Sequence, residues 1–129
     1  MPNPQVALGN NLALNESRPI IAASEAARAD TATSAANTAV SITYSADRNA
    51  AHVISGVAWS YSGEPSGGRI TIIYGVHIVL DLDIAAAGAD HIPFSPPKAS
   101  RKNMALIITL FAGGQAVVGK LSILGHWKE

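Results

Sequence analysis

The sequence predicts an all-β protein: a single antiparallel β-sandwich of about seven strands, jelly-roll-like or immunoglobulin-like, behind an extended N-terminal arm. Three observations carry this. From Thr38 onward the 129-residue chain falls into short runs rich in β-branched and aromatic residues, separated by glycine, proline, serine and asparagine, the punctuation of an all-β domain. Several runs alternate apolar and polar residues at the period of two that a half-buried strand requires. The gaps between runs are too short for the crossover helices that parallel strands need.

Residues 1–37 form the arm. They hold ten alanines, five asparagines and no aromatic residue, too little to build a core of their own. Val6, Leu8, Leu12, Leu14, Ile20 and Ile21 recur along the arm and are the expected contacts with a partner surface, joined by Trp127 near the C-terminus. Ser24–Ala29 has the composition of one or two helical turns with Ser24 as N-cap.

Residues 38–129 form the sandwich. Its expected strands are Thr38–Tyr44, His52–Ser62, Arg69–Tyr74, Val76–Ile84, His91–Phe94, Met104–Ala112 and Ala116–Trp127. In the second, Val53, Val57, Trp59 and Tyr61 share the core face. In the fourth, Val76, Ile78, Leu80, Leu82 and Ile84 face the core while His77, Asp81 and Asp83 face water. Pro93, Pro96 and Pro97 end the fifth on an edge or loop, because proline donates nothing to a ladder. The sixth is apolar on both sides, so it belongs in the middle of a sheet or under a second subunit or the arm. Val117, Leu121, Ile123 and Trp127 share the core face of the last. Gly63–Gly68 and Gly113–Gln115 are spaced as hairpin turns, and Gly75 separates two strands that pair or bend.

Composition narrows the function. Nine basic and nine acidic residues give zero net charge, which leaves nucleic-acid binding without its electrostatic source. The charged fraction is 14%, against roughly 25% for typical soluble domains, and a quiet surface of this kind favours a homo-oligomer. There is no cysteine, hence no disulfide framework and no thiolate chemistry. No apolar run approaches the ~20 residues of a membrane span, and the first residues lack the pattern of an export signal.

Motifs for chemistry are missing. His52, His77, His91 and His126 show no zinc-motif spacing. His77, Asp81 and Asp83 are the best local polar row, read as the wet face of a strand rather than a metal site. No nucleophile elbow appears, and Gly63–Gly68 lacks the lysine and helix of a phosphate loop. Lys98, Arg101 and Lys102 make one basic loop. The expectation is a non-enzymatic protein without cofactor or metal.

The stretches His91-Ile-Pro-Phe-Ser-Pro-Pro97, Asn103-Met-Ala-Leu-Ile-Ile-Thr-Leu110, Ala112-Gly-Gly-Gln-Ala-Val-Val-Gly-Lys-Leu121 and Gly125-His-Trp127 give residues 56–129 a texture that resembles small virion structural proteins of tailed bacteriophages, the capsid decoration or cement proteins. The resemblance implies a virion protein at the capsid surface, assembled in the host cytoplasm. It also implies a trimer that clamps major capsid protein subunits and reaches neighbours with a terminal arm. Deleting residues 1–36 is then expected to leave a folded sandwich that binds its partner less well. The rival expectation is a receptor- or carbohydrate-binding module of a fibre or head-displayed adhesin.

Overall fold

A computed structural model of the chain describes residues 28–129. Eight strands follow in order: β1 (Arg28–Thr33), β2 (Val40–Tyr44), β3 (His52–Tyr61), β4 (Gly68–Tyr74), β5 (His77–Ile84), β6 (Gly88–Ala99), β7 (Leu106–Leu110) and β8 (Gly119–Lys128). They form two four-stranded sheets, the first ordered β1-β8-β3-β6 and the second β2-β7-β4-β5. All pairings are antiparallel, as the short gaps require.

The order has a simple origin. β1 pairs with β8, β2 with β7, β3 with β6 and β4 with β5, so the chain is one long hairpin bent at β4–β5. Rolling that hairpin brings β3 against β8 and β4 against β7. This is the jelly-roll arrangement, and it resolves the choice left open by strand count. Gly75, at φ +59°, makes the one turn among the described residues that joins neighbours in the same sheet. Its left-handed backbone suits a tight hairpin and strains any residue with a Cβ. Gly63–Gly68 and Gly113–Gln115, expected as hairpin turns, instead carry the chain from one sheet to the other, because β3 and β4, like β7 and β8, lie in different sheets.

Two boundaries also move. β1 begins at Arg28 and pairs with β8, so the sandwich starts ahead of residue 37 and the arm is correspondingly shorter. The helical turn expected at Ser24–Ala29 lies largely outside the described residues, and Arg28 and Ala29 belong to β1. β6 runs to Ala99, through all three prolines. It can do so because it is an edge strand of the first sheet, where one side of the ladder makes no demand for N–H donors.

The core lies between the sheets. Ile54, Val57, Leu121 and Ile123 of the first sheet meet Ile70, Ile72 and Ile108 of the second, all at 0% exposure; burying one such side chain contributes roughly 1.5–3 kcal/mol. β7 is central, as its two-sided apolar pattern predicts.

Besides β6, which bulges between Pro93 and Lys98 opposite Ile54 and Gly56, strict alternation fails at two places. In β3 the core face passes from Tyr61, Trp59 and Val57 to Ile54, and in β8 it passes from Leu121 and Ile123 to His126. The two strands are paired here, Val57 with Ile123 and Ile54 with His126, so they change parity together. Gly56 makes room for the kink: a Cβ there would stand 2.7 Å from Leu124 Cδ1 and 2.8 Å from the Ile92 carbonyl oxygen. The consequence corrects the sequence reading: Val53, though buried at 4% exposure, leaves the face of Val57, Trp59 and Tyr61 and stands opposite Trp127, while His52 and His126 turn inward.

The second irregularity is in β5. Ile72 pairs with Leu80 but Ile73 pairs with Ile78, so Val79 is an extra residue, a β-bulge. Leu80 and Ile84 pack on the core as expected, whereas Ile78 is 66% exposed and Val76, in the turn, 91% exposed.

Candidate functional site

The His77, Asp81 and Asp83 row does not survive the bulge. Asp81 lies opposite Thr71 on the outer face of the second sheet, while His77 lies opposite Tyr74, whose side chain packs on the core. The His77 and Tyr74 rings are 5.0 Å apart. Asp81 instead takes two hydrogen bonds of 2.8 Å from the Arg69 guanidinium, and that guanidinium lies 5.0 Å above the Phe111 ring.

This forked pair holds the Asp81 carboxyl below its ordinary value of 3.8, chiefly through the hydrogen bonds from Arg69. Asp47 is lowered as well, by the Asn49 backbone N–H and then by Lys128. A carboxyl depressed in the folded state contributes stability that is present above its unfolded pKa and lost as the pH falls through the folded one. Acid unfolding of Asp81→Asn is therefore expected to be less steep with pH than that of the unaltered chain, its stability falling short above pH 5 by the same small amount, small because the pair is exposed, and converging with it in acid. Identical acid limbs in a pH series of urea melts would refute it.

Sequence spacing gives no sign of the largest buried polar group. His52 and His126 lie 74 residues apart, yet their ring nitrogens Nδ1 and Nε2 meet at 2.9 Å. His52 is 2% exposed and His126 8%. The proton positions follow from the partners. His52 Nε2 is 2.6 Å from the Ser45 carbonyl oxygen and must donate, so neutral His52 accepts at Nδ1 and His126 donates from Nε2. Tyr44 stacks on His126 at 3.7 Å and 4°, and its hydroxyl donates to Asp30 at 2.5 Å. β1, β2, β3 and β8 are thereby tied at one end of the sandwich. Both facing nitrogens are engaged with each other, and among the described residues no group of three or more His, Cys, Asp or Glu is arranged to hold a metal ion. The arrangement stitches sheets together rather than presenting a reactive atom to solvent.

Open concavities lie on the surface. A groove of about 650 Å³ crosses the outer face of the first sheet, floored by Ala58 and Ser60 and flanked by Lys120, Ser122 and Leu124 on one side and His91 on the other. A smaller recess of about 240 Å³ lies at the β5–β6 turn, lined by Trp59, Ala85, Ala86, Ala87, Asp83 and Asp90 among others. Exposed apolar side chains are distributed around the body: Val76, Ile78, Leu82 and Leu124.

Of the expected partner contacts, Trp127 is half-buried on the outer face, opposite Val53, with its indole N–H donating to Glu129 at 3.2 Å. Val6, Leu8, Leu12, Leu14, Ile20 and Ile21 lie outside the described residues. Lys98, Arg101 and Lys102 are exposed. Comparison with known proteins returns no match to a family model, a curated protein or a solved structure.

Proposed function

We propose that this chain is a non-enzymatic virion structural protein, which decorates and stabilises a bacteriophage capsid by binding major capsid protein subunits as a trimer. The observation that carries the reading is where the apolar surface lies. The space between the sheets is filled by aliphatic and aromatic side chains, and the most exposed apolar groups, Val76, Ile78 and Leu124, project from the outside of the body, with Leu82 38% exposed on the edge strand β5. Scattered projecting contacts serve docking on a large surface better than enclosure of a small molecule. The jelly roll is an architecture shared by viral capsid proteins, lectins and cupins, and fold alone does not choose among them. The resemblance of residues 56–129 to decoration proteins favours the first.

The arm supplies added attachment in this reading, with Val6, Leu8, Leu12, Leu14, Ile20 and Ile21 against neighbouring subunits and Trp127 on the body. Many weak contacts repeated by a symmetric oligomer give tight attachment through effective concentration. The test is made on particles. Mass spectrometry of purified virions should find the chain at a copy number comparable to that of the coat subunit; its absence would end the proposal. Because β1 starts at Arg28, the informative truncation removes residues 1–27 rather than 1–36. It should keep the melting temperature and release the protein from particles more readily.

The groove over Ala58 and Ser60, with Lys120, Ser122 and His91 around it, supports the second reading, a receptor- or carbohydrate-binding module. Binding of an immobilised glycan that is lost in Ser60→Trp would favour it.

A further inference from the structure

The two ends of the sandwich differ in charge and in shape. At the end where β4 turns into β5, Val76 and Ile78 are 91% and 66% exposed. The Met104 side chain packs beside Gly75, its Cε 3.3 Å from where a Cβ would be, which brings the loop bearing Arg101 and Lys102 next to this apolar tip. Arg48 is close by as well, since Asn103 N–H donates to the Asp47 carbonyl at 2.8 Å. The acidic side chains beside this loop are Asp47, bound to Lys128 at 3.1 Å, and Glu129, whose backbone pairs with Ala51 and whose carboxylate accepts from the Trp127 indole N–H, so Arg48, Arg101 and Lys102 leave the surface here net cationic.

The opposite end of β5 has the complementary character. Asp83 and Asp90 border the recess of about 240 Å³, whose walls are three consecutive alanines and an edge of Trp59. Arg69 lies opposite Asp83 in the ladder with its guanidinium held by Asp81, and Lys120 shares the adjoining groove with Asp90, so the three carboxylates Asp81, Asp83 and Asp90 outnumber the two nearby cations and the recess keeps a net negative sign. Chain-wide neutrality therefore conceals a dipole: a cationic end with an apolar projection and an anionic end with a small hollow.

We propose that two copies of this chain associate head to tail, with the β4–β5 tip of one entering the recess of the next, Val76 in the hollow and Arg101 and Lys102 facing Asp83 and Asp90. Such a contact is heterologous: it leaves a free tip and a free recess, and it closes into a ring if the rotation per copy allows, or grows if it does not. Val76 is the anchor, and the charges fix orientation and speed the encounter. Nothing in this contact depends on the capsid reading.

Sedimentation velocity of the full chain over a concentration series tests it. Association is expected at low salt and should weaken as the screening length shrinks from about 30 Å at 0.01 M to about 8 Å at 0.15 M. Val76→Asp, which places a charge in the hollow beside two carboxylates, should lower the association constant by at least about tenfold without moving the melting temperature, since the residue packs on nothing. D83K/D90K and R101E/K102E should each associate poorly alone and associate together when mixed, because each then offers the sign the other lacks. A wild-type chain that stays monomeric throughout would overturn the proposal, as would a mixture no better than its parts. So would association unchanged in Val76→Asp but abolished by removing residues 1–27; that result would place self-contact in the arm and leave the capsid proposal standing.

Discussion

Tyr61→Ala is expected to lower the unfolding free energy by about 3–5 kcal/mol, the range for removing a large buried aromatic side chain. Tyr61 is 2% exposed and belongs to β3 of the first sheet, but its hydroxyl works in the second. It donates to the Phe111 carbonyl at 2.7 Å and accepts the Arg69 backbone N–H at 3.3 Å. Its ring also lies against Gly113, where a Cβ would come within 2.8 Å of Cδ1, so the cavity left by alanine is bounded by backbone that has little freedom to collapse. For a domain of this size the loss lowers the melting temperature by about 4–8 °C for each kcal/mol. Tyr61→Phe separates the two contributions. It keeps the ring and removes the hydroxyl from two backbone groups, at an expected cost of about 1–3 kcal/mol. Denaturant melts that place alanine and phenylalanine within error of each other would show that ring packing contributes nothing here.

The same residue sets an alkaline limit. Burial raises the Tyr61 hydroxyl above its ordinary value of 10.0, because the interior disfavours the phenolate. A folded pKa above the unfolded one means that this stabilisation is complete below pH 10 and is lost as the pH climbs through the folded value. Tyr61→Phe should flatten that part of the stability profile.

The second large effect is expected at the other end of the sandwich. His126→Ala should cost about 2–4 kcal/mol, combining the stack on Tyr44, for which aromatic pairs give about 0.5–1.5 kcal/mol, with the penalty of leaving His52 Nδ1 buried without its donor, about 1–3 kcal/mol. His52→Ala should cost a similar amount by stranding the His126 N–H and the Ser45 carbonyl. The informative quantity is the coupling. Two residues joined by one buried hydrogen bond lose that bond once, so the double variant should cost less than the two single ones combined by about 0.5–3 kcal/mol. Strict additivity in urea melts would refute the shared bond.

Both clamps show how far the sequence could be read. Seven of the eight strands were placed by their β-branched and aromatic runs, since period-two patterning and turn residues act over a few positions and leave a local trace. β1 was not, because Arg28–Thr33 is alanine- and threonine-rich, without the apolar alternation that marks a strand. Its pairing with β8 comes from residues some ninety positions away. The Arg69–Asp81 fork, the His52–His126 pair and the recess beside Asp83 and Asp90 left no local trace for the same reason.

Taken alone, the amino-acid sequence determined the class: an antiparallel all-β body, one strand apolar on both sides and therefore central or covered, prolines on an edge or in a loop, and a neutral chain with no cysteine. These follow from propensity, periodicity and composition, which are properties of neighbours along the chain. Only the tertiary structure decided the jelly-roll order, which connections change sheet, and which way side chains point beyond a kink. One extra residue or a paired shift reverses every subsequent side chain of a strand. That is why Val53 and Trp127, on the core face by alternation, leave it, why His52 and His126 are inside, and why Val76 and Ile78 project from the tip that we propose meets a second copy.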